Sequence, residues 1–223
     1  MSTEQSLTTQ ERYNRQAGLY DITETPMEVL LFGRLRRKLW KQVSGERVLE
    51  IGVGTGKNLS YHPQEARVVC ADLSPGMLRK ATARAGRSGQ RIDFVLADAQ
   101  RLPFRDDAFD AAAATFVFCS VPDPVAGLRE VRRVTRGDGT VHLLEHVRSP
   151  NRVAGWFMDR LNPLVVRVAG ANINRDTVSN VARAGLDVEE VETAGLGILK
   201  LIRGSRARTQ SETGKDVRSV AHV

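Results

Sequence analysis

Two hydrophobic rhythms organise this chain. From Arg47 onward, short runs rich in β-branched residues alternate with stretches of helical periodicity, the pattern of a parallel sheet covered by helices. Strands are expected at Arg47–Ile51, Arg67–Ala71, Ile92–Leu96, Phe109–Phe116 and Thr140–His146. Two more are expected at Leu186–Glu192 and Gly197–Arg203, after a helix over Arg175–Ala184. Helix starts are marked where a capping oxygen precedes a proline, at Ser74-Pro75 and Asp123-Pro124, and Asn174 is placed to cap the late helix.

Before the sheet region the rhythm is different. After a polar lead-in, Thr25 and Glu28 have capping-box spacing around Pro26, predicting a helix from there to about Val43. Met27, Leu31, Leu35 and Leu39 recur every four residues on one side, and Arg34, Arg37, Lys38 and Lys41 lie on the other. Such a helix either covers the sheet or lies on a membrane surface. The last stretch, Gly204–Val223, has no apolar period and is expected to be a mobile tail.

A chain of 223 residues, 41% hydrophobic and 26% charged, suits a single globular domain. No apolar run approaches the roughly 20 residues that cross a bilayer. The polar start lacks a signal peptide's apolar region, so a cytoplasmic protein is expected. Cys70 and Cys119 lie in strand-like segments without metal-ligand spacing and read as buried thiols, with no metal site. The net charge of +7 points to an anionic partner, either nucleic acid or a lipid surface. Aromatic residues are only 5% of the chain and rarely interleave with basic ones, which argues against nucleic acid.

The sharpest local signal is the run from Val48 to Gly56, an apolar strand entering a loop with glycines at 52, 54 and 56 before a helix. Without β-carbons the loop turns sharply and lets a ligand lie on its backbone. The third glycine comes one residue early for a dinucleotide fingerprint, and Gly56-Lys57-Asn58 lacks a phosphate loop's hydroxyl. Glu50 at the loop mouth suits an ammonium-bearing ligand. Asp72, ending the second strand, is placed to accept from ribose hydroxyls, and Asp98 ends the third strand.

The successive segments VLEIGVGTG, VVCADLSPGML and ADAQRLPFRDDAFD resemble the motifs of class I S-adenosylmethionine (SAM)-dependent methyltransferases. The resemblance implies a Rossmann-like α/β fold, a seven-stranded mostly parallel sheet with an antiparallel last strand, helices on both faces and an N-terminal helical lid. By the same resemblance Gly52, Gly54, Gly56 and Asn58 line the cofactor, with Glu50 at its methionine end. Asp72 takes the ribose, Leu73 and Met77 flank the adenine, Asp98 and Ala99 bind its edge, and Thr115 lies below the sulfonium. Residues 1–45 would be lid and amphipathic helix, 46–203 the SAM domain with a substrate insertion at 150–174, and 204–223 the tail.

Outside these motifs, RYNRQAGLYDITETPME and LLEHVRSPNR with NPLVVRVAGANINR resemble bacterial soluble phosphatidylethanolamine N-methyltransferases. Stepwise methylation of a phospholipid amine toward phosphatidylcholine is therefore expected, with the basic N-terminal helix on an anionic membrane surface. The Tyr-Asp lid is shared with quinone C-methyltransferases and the Leu-Glu-His stretch with thiol methyltransferases; these are the alternatives. Nucleic-acid methylation and non-catalytic SAM binding rank below them. His146 ends a strand, and because the unperturbed pKa of histidine suits proton transfer near neutrality it is the expected proton acceptor. Tyr20 is expected to close over the acceptor, with Tyr13, His146 and Arg175 as its other contacts. The insertion mixes Trp156, Phe157 and Met158 with Arg152, Arg160 and Arg167, either forming an acyl-chain groove or packing on the sheet.

Overall fold

The computed structural model describes residues 2–16, 32–86 and 90–206. Strands β1 (Arg47–Ile51), β2 (Arg67–Asp72), β3 (Ile92–Leu96), β4 (Phe109–Thr115), β5 (Thr135–His146), β6 (Leu186–Ala194) and β7 (Leu199–Arg206) form one sheet in the order β3-β2-β1-β4-β5-β7-β6. The first five are mutually parallel and β7 runs antiparallel to both its neighbours. The chain reverses its winding between β1 and β4, which leaves a crevice at their carboxyl ends where ligands bind in such sheets.

Strand alternation distributes the core. In β4, Ala112 and Ala114 face one hydrophobic layer while Ala111 and Ala113 face the other, and all four are buried. Small side chains on this central strand let helices approach both faces closely. One layer takes Leu128, Val131 and Val134 from helix α4 (Pro124–Val134) and Val181 from α6 (Thr177–Arg183). The other takes Leu35, Leu39 and Trp40 from α2 (Gly33–Trp40) and Ala81 from α3 (Pro75–Ala85). The expected caps form: Ser74 Oγ accepts from Met77 N–H at 3.2 Å, and Asp123 Oδ1 from Ala126 N–H at 2.9 Å.

Several expectations change. The polar lead-in is a helix, α1 (Ser2–Gln16), with no apolar stripe to announce it; polar side chains hold it against α3 and the crevice. The late helix starts after Asp176, whose Oδ1 accepts from Ser179 N–H, while Asn174 instead donates to Asp159. Gly204 to Arg206 belong to β7 and not to a tail, because Gly204 fits where a Cβ would lie 2.7 Å from the Asp187 carbonyl oxygen. Residues 207–223 lie outside the described residues, as do Tyr20 and the expected helix start at Thr25 to Glu28. In α2 the apolar side is buried in the core, so only exposed cations such as Arg34, Arg37 and Lys38 are left for any lipid surface. Much of the insertion forms an 18-residue helix, α5 (Arg152–Ala169). No helix among the described residues is long and apolar enough to cross a membrane.

Candidate active site

The loop after β1 turns through left-handed backbone at Gly52, Gly54 and Gly56, with φ of 66°, 56° and 83°. A Cβ at Gly52 would lie 2.4 Å from a Val117 methyl, whereas at Gly54 it would meet nothing within 4 Å. Gly54 is thus the open surface of the loop, and Gly52 is fixed by contact with the segment after β4. Asp72 ties the loop down: its Oδ2 accepts from Gly54 N–H and its Oδ1 from Ser74 N–H, both at 2.8 Å. Burial raises the Asp72 pKa from its ordinary value, opposed by these backbone donors.

A cleft of about 950 Å³, counting its open mouth, lies over the crevice. Its walls include Gly52, Gly54, Asp72, Leu73, Met77, Asp98, Ala99 and Thr115 of the expected set, and Tyr13. Thr9, Gln10, Arg36 and Ser120 also line it, and hydrophobic patterning had singled out none of them. Gln10 donates to the Leu73 carbonyl at 2.8 Å, Tyr13 and Ser120 hydroxyls meet at 2.6 Å, and Asn14 accepts from Ser74 Oγ at 2.6 Å. Gln100 donates to both Asp98 and Ser6. The residues that hold α1 at the cleft are polar ones, Ser6, Gln10, Tyr13 and Asn14, at helical spacing.

Three expected cofactor residues do not line this cleft. Glu50 points to the opposite sheet face from Leu49 and Ile51, and is fully buried beneath the loop. There it pairs with His62 at 2.8 Å and accepts from Asn58 Nδ2 at 2.6 Å and Cys70 Sγ at 3.5 Å. Burial pushes its pKa up, but the His62 charge and these donors leave it below the ordinary value. Asn58 is turned inward by that bond and by Arg36, which donates to Asn58 Oδ1 at 3.0 Å and Thr115 Oγ1 at 2.6 Å. At Gly56 a Cβ would meet Leu59 at 2.7 Å and the Ala81 backbone at 3.1 Å, so this glycine serves packing against α3.

Two expected acceptor contacts also stand off. His146 ends β5 half-buried, outside the cleft walls; burial lowers its pKa and the Ile173 backbone opposes that. Arg175 donates inward to the Val121 carbonyl at 3.1 Å, and burial lowers its pKa. Their neighbour Glu145 is the better-connected group. It is fully buried, its Oε1 accepts from Val117 N–H at 2.9 Å and Phe118 N–H at 3.0 Å, and burial lifts its pKa to about 7. This carboxyl holds the turn in which Phe116, on the cleft wall, adopts a φ of 59°. Such strain persists only where surrounding contacts over-determine it. Phe116 in turn carries the Arg36 guanidinium 5.2 Å above its ring.

An alternating glycine loop, a strand-end acid clamping it and a cleft at the β1–β4 reversal define an α/β enzyme built around a nucleoside cofactor. A family model described as a methyltransferase domain matches residues 49–143. A demethylmenaquinone methyltransferase from Clavibacter sepedonicus is 30% identical over 215 residues, covering 86% of this chain and 87% of that one. The ubiquinone/menaquinone biosynthesis C-methyltransferase UbiE of Paracoccus denitrificans is 32% identical over 178 residues, covering 74% and 69%. A SAM-dependent methyltransferase structure from Thermotoga maritima shares the fold with a TM-score of 0.68 at 22% identity, covering 89% of this chain and 99% of that one. The chain belongs to the class I SAM-dependent methyltransferases, and SAM is its cofactor.

These relatives overturn the expected phosphatidylethanolamine acceptor, since they are named as demethylmenaquinone methyltransferases or as a ubiquinone/menaquinone biosynthesis C-methyltransferase. Among the described residues of these two motifs, Tyr13 meets Ser120 and Glu145 braces the turn after β4, contacts made within the protein that by themselves name no acceptor.

Proposed function

We propose that this enzyme transfers a methyl group from SAM to a ring carbon of a demethylated quinol. The observation that carries the reading is the 30% identity to a demethylmenaquinone methyltransferase across most of both chains. SAM, when bound, supplies an electrophilic methyl on its sulfonium. A ring carbon beside a phenolic oxygen attacks well only when the ring is reduced and that oxygen has shed its proton. The new carbon–carbon bond forms as the carbon–sulfur bond breaks, and the ring carbon then releases its proton to solvent.

The residues on the cleft wall fit this chemistry. Gly54 offers bare backbone, Asp72 and Asp98 offer acceptors for ribose and adenine, and Leu73 and Met77 offer apolar flanks. Arg36 and Thr115 add polar groups to the cleft wall, joined by a hydrogen bond of 2.6 Å.

The test is transfer of radiolabelled methyl from SAM to chemically reduced demethylmenaquinol, with a small alkyl thiol assayed in parallel. Label in the quinol ring is the expected outcome. Label only in the thiol would overturn the assignment.

A further inference from the structure

Helix α5 is turned inside out for a helix on a protein surface. The side facing the body carries Gly155, Met158 and Asn162, and Gly155 sits so close that a Cβ would lie 2.7 Å from the Arg148 guanidinium. The opposite side carries Val153, Trp156, Phe157, Leu161 and Leu164, each between 50% and 66% exposed. These are five of the eight large hydrophobic residues exposed among the described residues. A helix selected only to cover a core would show the reverse.

Charge says what the face is for. Arg152, Arg160 and Arg167 are exposed on the same helix, and Arg160 lies 5.9 Å over the Trp156 ring. The helix's single acid, Asp159, is engaged by Arg148 at 2.9 Å and Asn174 at 3.1 Å. Large apolar side chains flanked by arginines, on a chain of net charge +7, match a surface that is apolar below and anionic above. We propose that α5 docks this protein onto an anionic phospholipid bilayer, lying in the interface plane with Trp156, Phe157, Leu161 and Leu164 inserted.

The docked helix would be coupled to the cleft. Asn162 donates to Asn172 at 3.2 Å, Asn172 donates to the Cys119 carbonyl through both its backbone N–H and its side chain, and the next residue is Ser120, on the cleft wall against Tyr13. That route places a bilayer beside the mouth through which an apolar acceptor enters. The coupling rests on the quinol reading; lipid docking itself does not.

The experiment uses the full chain with vesicles of phosphatidylglycerol and phosphatidylcholine, and with phosphatidylcholine alone. Of the two tryptophans, Trp40 is buried and Trp156 exposed, so quenching by bromine-labelled acyl chains reports α5. The expected result is quenching on anionic vesicles, weakened about tenfold or more in partition constant by Phe157→Ser/Leu161→Ser and by Arg160→Glu/Arg167→Glu. Both pairs are exposed, and SAM binding should be unchanged in each. Equal partitioning by the variants, or no quenching in the parent, overturns the proposal. So does light scattering showing a dimer that Phe157→Ser/Leu161→Ser makes monomeric, which would make the face a self-interface. So does a Trp156 shielded from aqueous iodide without lipid, which would mean the chain covers this face itself. Because these readouts need no acceptor, they stand or fall separately from the methyl-transfer assay.

Discussion

Asp72 clamps the Gly54 and Ser74 amides while facing the cleft, so loop shape and ligand contact depend on one side chain. Asp72→Ala should weaken SAM binding by roughly 10- to 100-fold, the loss of charge-assisted hydrogen bonds, as titration calorimetry would read. Glu145 gives a pH dependence. Its carboxyl has an ordinary value of 4.5 and sits at about 7 when folded. Between these values the folded chain holds a proton that the unfolded chain has lost, so stability falls as pH rises across that window. The fall is on the order of 3 kcal/mol, at about 1.4 kcal/mol per pH unit. Glu145→Gln should flatten the trend in urea unfolding between pH 4.5 and 7; an unchanged slope would place the titration elsewhere.

At the level of elements, β4 and its alanines decide how near the helices stand. Ala112 is fully buried in the layer that holds Leu128 and Val131. Ala112→Leu should cost about 1–3 kcal/mol in denaturant unfolding, by overpacking and not by loss of any hydrogen bond. Two of the helices over the sheet, α3 and α4, are announced in sequence by proline after a capping Ser or Asp, a signal that depends on two adjacent residues. The start of α6 was misplaced by two residues because Asn174, an equally good cap, is diverted to Asp159 on a helix elsewhere in the chain. A local rule cannot see a partner brought close only by folding.

For the molecule as a whole, helix α1 and the sheet make separable contributions. Helix α1 meets the body through polar contacts of Gln10, Tyr13 and Asn14, and adds no residue to either buried hydrophobic cluster. Deleting residues 1–16 should therefore leave circular dichroism of the sheet and cooperative unfolding intact while weakening SAM binding on the order of tenfold, at about 1 kcal/mol per lost hydrogen bond. Loss of cooperative unfolding would mean that α1 is part of the core.

Alternating apolar runs, glycines at 52, 54 and 56, and acids at strand ends determined the fold and the cofactor, because each is a short-range pattern tied to backbone geometry. Tertiary structure alone decided that Glu50 lies off the cleft wall and meets His62, and that Arg36, on a helix expected to face lipid or sheet, reaches the cleft wall. It also decided that the apolar side of α2 is buried while that of α5 is bare. Periodicity reports which residues share a side of an element. Which side meets protein is set by how the elements pack.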